Sequence, residues 1–443
     1  MDVTLLGTGD PAGLPRPDCP CAACSRAASG RHRAATAVLV DQELLLDLTP
    51  GAAMAAARAG RSLHSVRQVL LTHPHDGPAV EFPDDLPPPV RVPDGRELTL
   101  LGGHRVRAVA LDAPGTGYEV TGPDGRRLLY LPPGGGPAGL PEEAEGPYDL
   151  VLLDVTSRPD ALARLRAAHA VTWTTDVVAV HLGHDAPDGT ELVRRLAAAG
   201  ARTVPDGTAL RAGDEPDAPE VPRRTLLLGA PGSGVAEEAE RRLATFPSVL
   251  RVLPGTAPGS VPPVSRPPSD DGGVPVPAAV LPPAPGARTP ATGGPPRTGP
   301  QALFPTAPAP SGENHPWGWV TTGTSELLPL LAEDGPPLLV DSLTRWLATT
   351  HTTGPRAVAT RPGARPGPGF GLPVGYPARL AEAVRNSPRP LVLISDQPPP
   401  AAPLPGDRDG RFAAELALLN TAVAEECEEV LLIVAGLPVR LRG

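Results

Sequence analysis

The 443-residue chain carries 49 Asp plus Glu against 39 Lys plus Arg, a formal net charge of -10, and no Lys/Arg run pairs with its sparse aromatics, which excludes a nucleic-acid-binding surface. No apolar run reaches the ~18 residues of a membrane span, and Met-Asp-Val-Thr-Leu-Leu-Gly lacks the positive start of a signal peptide; the sequence therefore predicts a cytoplasmic protein without membrane partners. Its 49 Gly and 63 Pro make up about a quarter of the chain but are unevenly spread, which predicts two or three folded domains alternating with a low-complexity stretch.

In chain order, apolar runs predict strands at Val3 to Leu6, Ala37 to Val40, Leu44 to Asp47 and Gln68 to Thr72, with an alanine-rich helix over Gly51 to Gly60. His73-Pro-His75-Asp76 follows directly. Further strands are expected at Arg105 to Leu111, Tyr118 to Val120, Leu128 to Tyr130 and Leu150 to Asp154, and helices at Pro159 to Ala168 and Thr190 to Ala199. Many short strands flanked by helices imply an α/β fold, either an αββα sandwich or a doubly wound domain. Cys19, Cys21 and Cys24 fall within six positions; in a reducing compartment that spacing points to metal before disulfide. His32, His64, His104 and His169 read as surface or cap residues.

Gly7-Thr-Gly9, the cysteine cluster, Leu-Leu-Leu-Asp47, Leu-Leu-Thr-His73-x-His75 and His181-Leu-Gly-His184 resemble the metallo-β-lactamase fold, in its phosphoribosyl cyclic phosphodiesterase-like branch. The resemblance implies an N-terminal domain over residues 1–213 and a structural zinc on Cys19, Cys21, Cys24 and His184. Soft thiolates plus one imidazole make a closed tetrahedral site, and such a site would pin a proline-rich loop with little core of its own. It also implies a hydrolytic centre with the signature H-x-H-x-D-H. Here His73 and His75 are followed by Asp76-Gly77-Pro78, His181 matches a late ligand, and Leu131-Pro-Pro133 stands where an Asp is expected. What remains is a single metal on His73, His75 and His181, or a core with leftover histidines.

Residues 214–222 form an acidic, proline-containing linker. Thr225 to Gly229 then reads as a strand that runs through a glycine-rich turn into a helix ending near Ala244. Gly229 and Gly234 have the separation of the glycines in G-x-x-x-x-G-K-[ST], and Gly232 and Ser233 keep the turn small, but Val235 and Ala236 replace the Lys and the hydroxyl. The turn is either a phosphate cradle built from backbone N–H groups or a strand-to-helix turn with no ligand. From Pro254 to Pro310 the composition is Pro, Gly, Ala, Ser and Thr without apolar periodicity, which predicts a disordered insertion.

Trp317 to Thr322 is a short extended segment; Glu326 to Leu331, Ala378 to Asn386 and Arg411 to Glu426 are helices, Leu343 to Ala348 a helical turn, and Pro337 to Asp341, Pro390 to Ser395 and Glu429 to Val434 buried strands. Fully apolar strands alternating with helices predict a mostly parallel sheet. Asp341 ends its strand, where it could hold Mg2+ through water or cap the next turn.

Gly229 to Ala236, His315-Pro-Trp-Gly-Trp319-Val-Thr321, Leu339-Val-Asp341-Ser-Leu-Thr344-Arg-Trp346, Ile394-Ser395-Asp396, Arg411-Phe412 to Asn420 and Val434-Ala-Gly-Leu-Pro438 resemble, in order, the blocks of the bifunctional adenosylcobinamide kinase/adenosylcobinamide-phosphate guanylyltransferase family of cobalamin biosynthesis. The resemblance implies a P-loop domain over 223–443 that uses GTP or ATP with Mg2+ on a corrinoid intermediate. Gly229, Gly232, Ser233 and Gly234 would line the nucleotide site, with Asp341 in a catalytic role and His315, at the family's arginine position, standing in for the absent nucleophilic histidine. Rival readings are a non-catalytic protein that binds nucleotide or corrinoid, or that stabilises an intact paralogue or a second copy of itself, and a phosphodiesterase-like hydrolase centred on the N-terminal half.

Overall fold

Strand β1 (Asp2–Gly7) is buried along its length after the first residue, and it is sandwiched because both of its faces are apolar. It lies in a five-stranded sheet, ordered β11-β1-β2-β3-β4, with β2 (Ala37–Val40), β3 (Leu44–Leu46), β4 (Gln68–Leu70) and β11 (Thr208–Arg211). Helices α1 (Ala22–Ala28) and α2 (Ala52–Arg58) interrupt this series. A second sheet, ordered β10-β9-β8-β7-β6-β5, contains β5 (Glu97–Thr99), β6 (Arg105–Val109), β7 (Gly117–Thr121), β8 (Arg127–Tyr130), β9 (Leu150–Leu153) and β10 (Asp176–Ala179), with α3 (Pro159–Ala167) before β10 and α4 (Gly189–Ala198) after it.

Side-chain alternation divides the apolar residues between three layers. Val3, Leu5, Val38, Val40, Leu44 and Leu46 of the first sheet meet Val106, Tyr118, Val120, Leu128, Tyr130 and Leu152 of the second. Their neighbours in sequence point outward: Leu6, Leu39, Leu45 and Val69 pack on α2, while Leu129, Val151, Leu153 and Val177 pack on α3 and α4. This is an αββα sandwich, the first of the two arrangements that the strand pattern allowed.

The rest of the chain forms one seven-stranded sheet, ordered β14-β13-β15-β16-β12-β17-β18. Its elements are β12 (Arg224–Gly229), α5 (Val235–Leu243), β13 (Val249–Pro254), β14 (Trp319–Thr324), α6 (Leu327–Ala332), β15 (Leu338–Asp341), α7 (Leu343–Thr353), α8 (Tyr376–Asn386), β16 (Leu391–Asp396), α9 (Arg408–Glu426), β17 (Glu429–Val434) and β18 (Leu437–Arg442). All neighbouring pairs are parallel except β17 with β18. One face is covered by α6 to α9 through Leu331, Trp346, Leu380 and Leu419. The other is covered by α5 through Val235, Ala239 and Leu243.

The computed structural model describes residues 1–30, 32–73, 85–138, 146–187, 189–215, 221–256, 318–324, 326–353, 375–398 and 408–443, all within one compact unit. Most of the expected insertion, His75 and His315 lie outside the described residues. Pro254, expected to begin the insertion, instead ends β13 opposite Thr324, because the parallel ladder runs past the last apolar side chain. The expected turn at Leu343 to Ala348 is a full helix, α7. Strands β5, β11 and β18 have no counterpart in the sequence reading, because edge strands with exposed faces carry little apolar signal, and Pro438 argued against a strand at a position that only an edge tolerates. Short β10 and helix α1 were likewise unanticipated. His104 is a correction: it is only 2% exposed and its Nε2 meets the half-buried Asp41 at 2.7 Å, so it is a buried ring with a carboxylate partner rather than a surface residue. No described helix is long and apolar enough to cross a membrane.

Candidate metal centre and glycine-rich turn

Close backbone approach builds the thiol cluster. Gly9 forms isolated bridges with Ala35 and with Leu182, and a Cβ at Gly7 would lie 2.2 Å from the Ala35 carbonyl oxygen, so only glycine permits this crossing. Leu182 N donates to Thr8 O at 3.0 Å, which brings the segment carrying His184 beside the N-terminal loop. The loop itself is turned by α1, whose N-cap is Cys21: its Sγ accepts from Cys24 N at 3.4 Å. A cysteine cap is outside the usual Ser, Thr, Asp and Asn set, which is why the sequence did not announce the helix.

The ligand atoms of Cys19, Cys21, Cys24 and His184 all lie within 4.8 Å of one another, the one such His/Cys/Asp/Glu group among the described residues. His184 Nδ1 is 3.4 Å from Cys19 Sγ and 3.7 Å from Cys21 Sγ. Ordinary Zn–S and Zn–N bonds at a tetrahedral angle place sulfur and nitrogen ~3.6 Å apart, so the donor set and its spacing fit zinc. The hydrogen bond from the Cys24 amide pulls the Cys21 thiol down to about 6, toward the thiolate a metal requires. His184 Nε2 lies 2.9 Å from Arg16 Nη1, which only donates, so Nε2 accepts there and Nδ1 carries the ring proton toward the sulfurs. Ligation through Nδ1 would move that proton to Nε2 and turn it from Arg16, itself held by Asp10, toward Asp185 Oδ2, 3.4 Å away.

The second group of histidines sits in the sandwich core beside Asp47. Asp47, 1% exposed, accepts from Thr72 N at 2.8 Å, Thr72 Oγ1 at 2.8 Å and Tyr130 Oη at 2.7 Å. Thr72 Oγ1 also meets His73 Nδ1 at 2.8 Å. His181 is buried, with Nε2 at 3.0 Å from the Leu131 carbonyl; because that oxygen only accepts, Nε2 carries the proton. Burial is the main force holding its pKa down to about 4, so the ring is neutral at ordinary pH. Nε2 is thus engaged by backbone and is not available to a metal as the ring stands, and the Leu131 to Pro133 segment supplies a carbonyl there. Asp47 and Tyr130 as a connected pair went unnoticed in the sequence, where Asp47 registered as a strand end and as part of a family motif but with no partner.

In the C-terminal half the glycine-rich turn lies at the end of β12, between β16 and β17. Gly232 and Gly234 have positive φ, +77° and +91°, and Gly234 caps α5 without any side-chain hydrogen bond. Ser233 N donates to Ala230 O at 3.0 Å, and Gly436 N donates to Ser233 O at 2.7 Å. A Cβ at Gly234 would come within 3.0 Å of the Gly436 Cα, so the Ala435-Gly436 turn buttresses the cradle from behind. Asp341 Oδ2 meets Arg251 Nη2 at 2.5 Å, and Arg251 Nη1 reaches Glu240 at 3.1 Å. The cap of α7 falls to Ser342, whose Oγ accepts from Arg345 N. Burial pushes the nearby Asp396 carboxyl upward. Arg251 was overlooked, although a lone charge inside Val249-Leu-Arg-Val-Leu is the signal that it needs a partner.

No family model matches the sequence, and no curated protein matches it. Among solved structures the N-terminal half is similar to members of the metallo-β-lactamase superfamily. A diphosphatase of the PhnP family shares 20% identity, covering 47% of this chain and 97% of that one, with a TM-score of 0.36. Zinc-bound PqqB from Methylobacterium extorquens shares 18%, covering 48% and 100%, with a TM-score of 0.35. Human short-form tRNase Z shares 13%, covering 48% and 99%, with a TM-score of 0.31. TM-scores of this size carry no argument about activity, and the assignment of the sandwich rests on its own strand order and packing. The comparisons lend no support to a kinase or guanylyltransferase relationship for the C-terminal half.

Proposed function

We propose that the N-terminal half belongs to the lineage of metal-dependent, phosphodiesterase-like hydrolases and keeps one zinc, held by Cys19, Cys21, Cys24 and His184, as a structural staple. The observation that carries this is the clustering of three sulfurs and one imidazole nitrogen within 4.8 Å. Zinc bound there supplies a closed set of bonds that fixes the loop. Cys19 and Cys21 are the accessible edge of the site and Cys24 its buried base.

Hydrolysis at His73, His75 and His181 is the activity this lineage suggests, and the Asp47–Thr72–His73 chain favours it by fixing the entrance to the histidine segment. Against it stands the His181 contact with the Leu131 carbonyl. Turnover is therefore expected to be at least ~100-fold below an intact two-metal centre. Assay of bis(p-nitrophenyl) phosphate with added Zn2+ or Mn2+ decides the matter. Hydrolysis abolished by His181→Ala, with zinc content unchanged, establishes the enzyme; no hydrolysis with one zinc bound leaves the staple alone.

A second reading is favoured by the position of the Gly229 to Gly234 turn at the C-terminal end of a central parallel strand, where α/β sheets bind ligands. In this reading the C-terminal half is a member of the adenosylcobinamide kinase/guanylyltransferase family that binds a nucleotide or corrinoid phosphate without transferring it. Val235 supplies no cation and Asp341 is already paired with Arg251, so binding outlasts catalysis. Calorimetric titration with GTP and Mg2+ tests it. Val235→Lys with Ala236→Ser should tighten binding, and a doubly substituted chain no better than the original would mean that the cradle is closed.

A further inference from the structure

Helix α4 begins five residues after His184 in sequence, and its arginines reach the C-terminal half. Its Arg194 Nη1 donates to Glu429 Oε1 at the start of β17 over 2.9 Å. Its Arg195 Nη2 lies 3.3 Å from Glu238 Oε2 on α5. The two carboxylate side chains are 3% and 1% exposed, so each depends on protein partners rather than water. From α3, Arg166 Nη1 donates to the Thr245 carbonyl, just beyond α5, at 3.0 Å, and its Nη2 to the Ala199 carbonyl at 2.8 Å. The helix that opens the glycine-rich turn is therefore gripped by the N-terminal half at its middle and beyond its C-terminal end.

The charges are distributed so that this grip can loosen. Within the C-terminal half, Arg241 pairs with Glu238 and Arg242 Nη1 meets Glu429 Oε2 at 2.5 Å. On α4, Glu191 Oε1 holds Arg194 at 2.5 Å and Arg195 at 2.6 Å. Withdrawal of α4 leaves neither buried carboxylate without a cation, whereas a pair whose separation stranded a buried charge would have to stay closed.

We propose that metal occupancy of the Cys19, Cys21, Cys24 and His184 cluster sets how firmly α4 grips α5, and so relays the state of the N-terminal staple to the glycine-rich turn; this rests on the zinc reading above. Without a metal, His184 is held by thiol contacts of 3.4 and 3.7 Å at Nδ1 and by Arg16 at 2.9 Å on Nε2, none of them as strong or as directional as a metal–ligand bond. Ligation replaces them with bonds that define the position of His184. Arg194 and Arg195 then convert a defined α4 into a defined α5.

The full chain, purified without chelator and with its zinc counted, is followed by hydrogen exchange over 235–243 and 429–434, then stripped with chelator and reloaded with Zn2+. Exchange over 235–243 should rise at least ~10-fold on stripping and return on reloading. Arg194→Met combined with Arg195→Met should give the same rise with zinc still bound, and should no longer respond over 235–243 when the metal leaves. Unchanged exchange there after the metal has left overturns the relay, as does a double variant that still responds like the original chain. If stripping unfolds the whole protein, the zinc-loaded double variant decides, and exchange equal to the unsubstituted chain overturns the relay. A chain that neither carries nor takes up zinc overturns the zinc reading itself, and the relay with it.

Discussion

The two halves settle their buried polar groups in different ways. In the N-terminal sandwich the polar residues around His73 and His181 turn inward: Asp47 accepts from Thr72 and Tyr130, and His181 donates to the Leu131 carbonyl. In the C-terminal sheet the acid at the strand end is met by a cation, Arg251, from the neighbouring strand. A buried polar group must find a partner whether or not a ligand arrives. Between two sheets that partner can be neutral and local; at the open end of one sheet it is a charge reaching across strands. Among the described residues, the thiol cluster is the group that brings four metal-binding donors within 4.8 Å of one another.

The largest effect should separate the staple from everything else. Cys21→Ala, or removal of zinc by chelator, should lower the melting temperature of the N-terminal half by more than ~10 °C, because a structural zinc contributes on the order of 10 kcal/mol in small domains. Calorimetry with parallel zinc counting checks this, and a melting temperature within a degree or two of the original would remove the staple from the account. Next, Asp47→Ala should cost about 4 kcal/mol, since it leaves the Thr72 and Tyr130 donors buried without an acceptor. Urea unfolding measures it, and a cost under about 1 kcal/mol would mean that water replaces the carboxylate.

Acid should then act on the same half through His181. Burial lowers its pKa from 6.5 to about 4, so between those values the unfolded chain binds a proton that the folded one refuses. Stability from this group is complete above pH 6.5, falls by up to about 3 kcal/mol as pH drops toward 4, and loses no more below that. Comparing unfolding of the unsubstituted chain and His181→Gln at pH 7 and pH 4.5 isolates the contribution. Equal pH dependence in both would place the burial of the neutral ring in doubt.

How much of this the sequence disclosed follows from how locally each feature is encoded. Leu44-Leu-Leu-Asp47 and Leu150-Val-Leu-Leu153 state their strands outright, because a strand buried on both faces needs apolar residues at every position. Cys19, Cys21 and Cys24 advertise a site by spacing, but His184 joins them only through the crossing of Gly9 between Ala35 and Leu182, which no spacing records. Arg194 and Arg195 look like the solvent face of an amphipathic helix until Glu238 and Glu429 are seen opposite them. Helix α1 was missed because its cap is a thiol, and β18 because Pro438 is tolerated only where no further strand pairs.

The smallest expected effect sharpens the comparison most, because it asks whether Arg251 closes the C-terminal site or belongs to it. Asp341 and Arg251 are 20% and 16% exposed, so water shares in screening the pair, and Arg251→Met should cost only about 1 kcal/mol of stability. Its effect on ligands has a definite sign. Freed from the guanidinium, Asp341 would stand with Asp396, whose carboxyl burial already pushes upward, and a divalent cation is what two adjacent carboxylates favour. Arg251→Met should therefore strengthen Mg2+-dependent binding of GTP several-fold, roughly 1 kcal/mol, and leave Mg2+-free binding unchanged. Titrations with and without Mg2+ read both quantities. Weaker binding in the variant under both conditions would mean that Arg251, reaching from β13, faces the phosphate itself and supplies the charge that Val235 cannot provide.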